Sequence, residues 1–349
     1  MPTALPLPLQ TMYAELVERC GIASLGEAVG ETYPLSGGFV RQTKNGRDYW
    51  YFQRADAEGK RRQMYIGPAT EEIERLISEH KSAKADFKER RSMVAALKRA
   101  GLPAPDPMTG KVLEALAKAG AFRLRAVVVG TIAYQCYGGL LGVKLSGANM
   151  TTADLDLAQF STISLAVEDH LAEPLERVLQ SVDADFRPLP HPGDPRVASR
   201  YAIGDRYRVD VLTPNRGADS DDLVALPALG TAARPLRYLD YLIYNEERAI
   251  ALHGGGVAVN VPAPERYALH KLIVSRLRIE SRESQEKSRK DLRQAADLIT
   301  ALAEVRPYEL AEAWDDLQQR GPKWRRYAEQ GIALLPDTAR RALEAATSS

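Results

Sequence analysis

The stretch TTADLDLAQF, residues 151–160, restricts the fold more than any other part of the chain. Asp154 and Asp156 alternate with Leu155 and Leu157. On a strand this puts both carboxylates on one face and both leucines on the other. Acids are poor strand formers and costly to bury, and two of them about 7 Å apart along one face repel each other. A divalent cation resolves the conflict, because it takes oxygen ligands from both and supplies countercharge. The expected element is therefore a strand with one face in a core and the other lining a polar site. A third acid, Asp210 in YRVDVLTP, lies on the face opposite Val209 and Val211, together with Arg208 and Leu212. If the two strands are neighbours, three acids converge.

A cluster of this kind suits two-metal phosphoryl or nucleotidyl transfer, in which ions clamp the attacking and leaving oxygens. The phosphates also need a cradle. Gly130-Thr131 follows the β-branched run AVVV and precedes a helical stretch. That junction offers backbone N–H groups at a helix N-terminus together with a hydroxyl. The order is strand, Gly-Thr, helix, Asp-x-Asp strand, then a later strand Asp.

This order resembles the DNA polymerase β-like nucleotidyltransferases, whose pattern is a Gly-Ser after the first strand, a helix, an acidic strand and a third acid on a later strand. Gly130 and Thr131 match the Gly-Ser pair, Asp154 and Asp156 the metal-binding pair, and Asp210 the third acid. Threonine replaces serine and keeps the hydroxyl; the spacing from Gly130 to Asp154 is longer than usual, with an extension around GGLLGVKLSGANM. The segments VPAPERYALHKLIVSRLR and SRKDLRQAADLI resemble the helical part that follows the catalytic domain in many bacterial nucleotidyltransferases. The whole chain is similar to a bacterial nucleotidyltransferase-fold group of largely unassigned substrate. The resemblance implies an α/β (α+β) fold with a mixed sheet. It also implies Mg2+ or Mn2+ held by Asp154, Asp156 and Asp210 as catalytic residues, an NTP such as ATP as substrate, and transfer of its NMP to an RNA (tRNA) or protein hydroxyl.

Three parts are expected along the chain: residues 1–105, a β-meander with a long basic helix; 106–220, the catalytic domain; and 221–349, a mainly helical domain. Asn45-Gly46 is a strong hairpin signal, since both residues accept the positive φ of a type I′ turn. It makes 33–68 a three-stranded meander. Thr70 reads as the N-cap of a helix reaching about Arg99, and GLPAPDPMTG as the linker behind it. Further helices are expected near 111–119 and 167–180. RYAIGDRYRVDVLTP reads as two strands around Gly204-Asp205, and AIALHGGGVAVNVPAPE as a further β pair in an otherwise helical region from about Asp221. The 47 Lys and Arg against 46 Asp and Glu mean that any nucleic-acid surface must be local. Cys20 and Cys136 read as reduced thiols of a cytoplasmic protein, with no zinc-spacing pattern. No run reaches the length of a membrane span, and the N-terminus lacks the features of a signal peptide.

Tyr267 and Lys271 lie one helical turn apart, so this pair can project towards the nucleotide, the lysine as a point charge on its phosphates; the alternative is a solvated lysine with its stem on the core. Arg276, Arg278, Lys290 and Asp291 read as a surface ion-pairing face, Asp297 as a structural partner and His191 as a loop residue. In DYWYF, alternation separates Tyr49 and Tyr51 from Trp50 and Phe52; one pair must meet a core. The other pair, with Arg41, Lys60, Arg61, Arg62 and the basic helix, is a candidate nucleic-acid contact, the rival being contact with the rest of the protein. Two alternatives to the enzyme stand beside it: a non-catalytic nucleotide- or RNA-binding module, and the toxin of a toxin–antitoxin or phage-defence pair with an antitoxin partner.

Overall fold

The computed structural model describes residues 2–25, 33–56, 58–146, 153–194, 197–215, 217, 222–281 and 285–348. The ends of the expected extension between Gly130 and Asp154, residues 147–150, and the start of the opening stretch, 151–152, lie outside these.

A short strand β1 (Thr3–Ala4) leads into helix α1 (Leu7–Leu25). The meander follows as expected: β2 (Gly38–Lys44), β3 (Arg47–Ala55) and β4 (Arg61–Pro68), antiparallel in the order β2-β3-β4. Asn45 and Gly46 turn the first hairpin with φ of 51° and 73°. Thr70 then caps α2 (Glu71–Arg99), its hydroxyl accepting from Ile73 N. Glu71, Glu72 and Glu74 sit in the first turn, and Lys98 and Arg99 in the last, matching the helix dipole. The two halves of α2 do different jobs. Its N-terminal half carries the meander, while Val94 and Leu97 join Tyr13, Leu16, Ile250 and Leu252 in a core against α1.

Helix α3 (Pro107–Lys118) starts four residues earlier than expected, because Asp106 caps it by accepting from Met108 N and Thr109 N, with Pro107 in the first turn. Strand β5 (Val127–Val129) is wholly buried and runs directly into α4 (Gly130–Leu140). The helix runs through Gly138 and Gly139. A Cβ on Gly139 would stand 2.2 Å from the Tyr13 ring, so the missing side chain is what lets α1 pack there. After β6 (Val143–Lys144), which pairs with β1, comes β7 (Asp154–Ala158).

Of the helix expected over 167–180 only the end is helical, as α6 (Leu175–Gln180) behind Pro174, and a short helix that was not expected, α5 (Ser161–Ala166), precedes it. Then come β8 (Arg187–Pro188), β9 (Arg200–Ile203), β10 (Tyr207–Pro214), β11 (Val224–Leu226) and β12 (Thr231–Leu236). From residue 221 the expected β pair is present as β13 (Glu246–Ala251) and β14 (Val257–Pro262) and helices follow from Pro264, whereas the strands β11 and β12 were not expected. Before the pair, β11 and β12 extend the sheet and α7 (Leu239–Leu242) follows.

The mixed sheet runs β11-β12-β10-β7-β5, with β9 and β8 added beside β10. β10 is parallel to β7 and to β12, whereas β5 is antiparallel to β7. Leu155, Leu157, Val209 and Val211 are fully buried under it, each such side chain contributing about 1.5–3 kcal/mol. Five helices complete the chain: α8 (Pro264–Glu280), α9 (Gln285–Val305), α10 (Pro307–Gln319), α11 (Pro322–Ile332) and α12 (Asp337–Thr347). α8 and α9 pack on the sheet end that carries the acids, and their Leu269, Leu272, Leu298 and Ile299 share the main core with β5 and β7. Cys20 and Cys136 are buried free thiols, and no described helix is long and apolar enough to cross a membrane.

Candidate active site

Strand register brings the acids together. Asp156 on β7 and Asp210 on β10 are Cα partners across a parallel pair, and Asp154 is opposite Arg208. On its far side β10 pairs with β9, so Asp210 also stands opposite Arg200. Arg200 Nε lies 2.8 Å from Asp210 Oδ1. The approach is off the hydrogen-bonding direction, and Oδ1 is buried with no aligned donor. The arginine that neutralises Asp210 therefore comes from the neighbouring strand, and not from Arg208 in its own.

The carboxylates remain in electrostatic conflict. Burial, then the charge of Asp210, and to a smaller extent Asp154, push Asp156 up to about 6, while Lys271 and Arg234 pull it down. Among the described residues, no three His, Cys, Asp or Glu side chains already stand in a metal-holding arrangement.

The turn lies immediately beside these acids. Val129 is the Cα partner of Asp156 on the other side of β7, so the chain leaves β5 at Gly130 against the carboxylate. Gly130 has φ 69°, and a Cβ there would be 2.6 Å from Asp156 Oδ2. A side chain is excluded twice, by backbone conformation and by the acid. Thr131 is the second residue of α4, and Lys290 Nζ donates to its hydroxyl at 3.0 Å. Lys290 is half-buried and its pKa is lowered, mainly by burial and then by Lys271.

Behind the turn, Tyr267 is 1% exposed. Its hydroxyl donates to the Gly130 carbonyl at 2.9 Å and lies 3.1 Å from Gln294 Oε1. A phenol has one proton, and Gln294 Nε2 is otherwise buried without a partner. Both are satisfied when the Gln294 amide turns its nitrogen to the phenol oxygen. Lys271 Nζ lies 2.6 Å from Asp291 Oδ1, Arg278 Nε is 2.9 Å from Asp291 Oδ2, and Asp291 is almost fully buried. The sequence reading of Arg276, Arg278, Lys290 and Asp291 as a surface ion-pairing face is thus corrected: Asp291 is a buried anion between two cations, and Lys290 reaches Thr131. Asp297, expected as a structural partner, accepts from Tyr134 and Ser146.

Lys290, Gln294 and Asp297 occupy positions i, i+4 and i+7 of α9, one face of a helix. That face meets Thr131 and Tyr134 of α4 and Tyr267 of α8. A polar stripe at helical spacing was the signal in the sequence that could have placed Lys290 here. Arg200 and Arg234 carried no such signal, because only strand order brings them to the acids. His191 is in a loop, its Nδ1 accepting from Gly193 N.

No curated protein matches this sequence. Among solved structures, the chain is similar to an antigenic nucleotidyltransferase-like protein from Paracoccidioides brasiliensis, at 16% identity and a TM-score of 0.31, covering 65% of this chain and 94% of that one. A family model described as nucleotidyltransferase matches residues 107–319, from the first residue of α3 to the last of α10. That match takes in Gly130, Thr131 and all three acids across more than half of the chain, and the chain belongs to this nucleotidyltransferase family.

Proposed function

We propose that the protein transfers a nucleoside monophosphate from an NTP to a hydroxyl on an RNA or protein acceptor. The observation that carries this reading is the register pairing of Asp156 with Asp210, directly beside a turn from which any side chain is excluded.

The donor set fits a hard divalent cation such as Mg2+ or Mn2+. All three candidate ligands are carboxylates, Asp156 is raised by burial and then by its acidic neighbours, and Asp210 Oδ1 is buried without an aligned donor. Asp154, Asp156 and Asp210 would hold the ions, with Arg200 giving up its place at Asp210. Bound there, the ions would offset charge on the phosphates and on the attacking and leaving oxygens. The chain's own groups do the rest. The N–H groups that open α4 point to where phosphates would lie, and the Thr131 hydroxyl and Lys290 add a donor and a charge at the same place. Tyr267 holds the Gly130 carbonyl and so fixes the turn. Lys271, already tied to Asp291, contributes its field at Asp156 in place of direct phosphate contact.

Incubation of the protein with each labelled NTP, Mg2+ and total cellular RNA or protein tests the reading. Label that becomes covalently attached in wild type and not in Asp156→Asn supports it; equal labelling by the two proteins overturns it.

A further inference from the structure

The two faces of the N-terminal sheet differ in kind. One is spent on the fold: Trp50 Nε1 donates to Glu74 Oε1 of α2 at 2.9 Å, and the rings of Phe39 and Phe52 pack edge-on against His80 at 5.1 and 5.8 Å. The other face follows from register. Lys44 pairs with Arg47, Gln42 with Tyr49, Val40 with Tyr51, Tyr51 with Tyr65, Gln53 with Gln63, and Ala55 with Arg61. Along the strands, cations therefore stand at both ends, three tyrosines occupy the middle, and glutamines lie between. No carboxylate occupies a strand position on this face.

Among the described residues, several of these side chains meet one another. Tyr65, 55% exposed, is 5.5 Å from the Tyr51 ring and 6.2 Å from Tyr49. Gln42 Nε2 donates to Gln63 Oε1, and Lys44 Nζ donates to Tyr51 Oη at 2.9 Å while lying over its ring. The sequence expectation is adjusted in one respect. Arg41 pairs with Asp48, Arg62 with Asp56 and Lys60 with Glu58, and α2 lies against the opposite face. Of the basic residues expected beside the tyrosines only Arg61 is there, joined by Lys44 and Arg47.

We infer that this face binds single-stranded nucleic acid, with Tyr49, Tyr51 and Tyr65 stacking on bases and Lys44, Arg47 and Arg61 neutralising phosphates at either end. Rings on which bases can stack, flanked by cations tracking a backbone, are the two elements of such binding. From Arg47 to Arg61 the path is roughly 25 Å, enough for about four nucleotides. Tyrosine and arginine can also anchor a protein partner, but cations without any carboxylate among these positions, with the amides of Gln42, Gln53 and Gln63 between them, suit a phosphate backbone and base edges better. The inference stands apart from the proposed transfer reaction, since binding requires neither NTP nor cation.

Fluorescence anisotropy of the full chain with labelled 12-nucleotide RNA, the same DNA sequence and a duplex, without NTP or divalent ion, tests it. Wild type is expected to bind the single strands more tightly than the duplex. The RNA and DNA arms decide which strand is the better ligand. Each Tyr→Ala variant should weaken binding about 5- to 150-fold, and each Tyr→Phe, which keeps the ring, about 2-fold or less. The triple variant Lys44→Gln, Arg47→Gln, Arg61→Gln should flatten the salt dependence by about two units of slope. Circular dichroism confirms that each variant is folded. Absence of binding by wild type at low salt, equal affinity for duplex, or wild-type affinity in the Tyr→Ala variants overturns the inference.

Discussion

Asp156 and Asp210 face each other on adjacent parallel strands, and Asp210 alone of the two has an arginine, Arg200, opposite it on its other side. Replacing either acid by Asn leaves the strands intact but removes one of the three carboxylate charges on which the proposed reaction depends. Labelling by Asp156→Asn and by Asp210→Asn should each fall at least about 1000-fold, roughly 4 kcal/mol of transition-state stabilisation, measured as initial rates at saturating NTP.

Arg200 and a cation compete for the same carboxylate. Arg200→Ala should lower the Mg2+ concentration giving half-maximal labelling several-fold, read from a magnesium titration. An unchanged midpoint would mean that Arg200 does not restrain Asp210.

Gly130→Ala sets a methyl group 2.6 Å from Asp156 Oδ2 at a φ of 69°. Left-handed backbone costs a non-glycine residue about 1–2 kcal/mol, so urea denaturation should show at least that loss of stability. Labelling should drop further than stability alone explains, because the carboxylate must move.

Asp291 is a buried anion between Lys271 and Arg278. Asp291→Ala leaves Lys271 buried without its counterion, and stability should fall by about 3–5 kcal/mol. The double variant Asp291→Leu, Lys271→Met should recover most of it. Denaturant midpoints of the three proteins measure the difference.

His270 is buried, and burial first, then the charges of Lys271 and Arg278, hold its pKa down to about 3. The unfolded chain takes up a proton near pH 6.5 that the folded protein refuses, so the stability this group contributes is complete above that pH. It is lost at about 1.4 kcal/mol per pH unit as pH falls towards 3. Asp156 acts with opposite sign, its raised pKa favouring the folded state as pH falls through about 6. Comparing thermal midpoints of wild type and His270→Gln from pH 7 to pH 4.5 isolates the histidine: the gap between the two curves should shift in favour of the variant as pH drops.

Several elements were legible because their causes are local. Alternation in DLDLA set which side chains enter the core, Asn45-Gly46 set the first hairpin, and Thr70 set the start of α2. The errors were local as well: Asp106 caps α3 ahead of the expected start, the helix expected from 167 begins only after Pro174, and the strands at 224–226 and 231–236 carried too little periodicity to register. The need for Gly139 in α4 left no local mark, because the ring of Tyr13 that fills its space is more than a hundred residues away.

Spacing and residue type alone determined that this chain has an acidic strand, a glycine-threonine turn after a buried strand, and a third acid on a valine-rich strand. Tertiary structure decided the rest: that the acids are register partners, that Arg200 reaches one of them, that Lys290 meets Thr131, and that Asp291 is buried with its cations. The division has a physical basis. Alternation and capping act within a few residues and leave their mark on the sequence, whereas pairing between strands and helices far apart is chosen by the packing of the whole core.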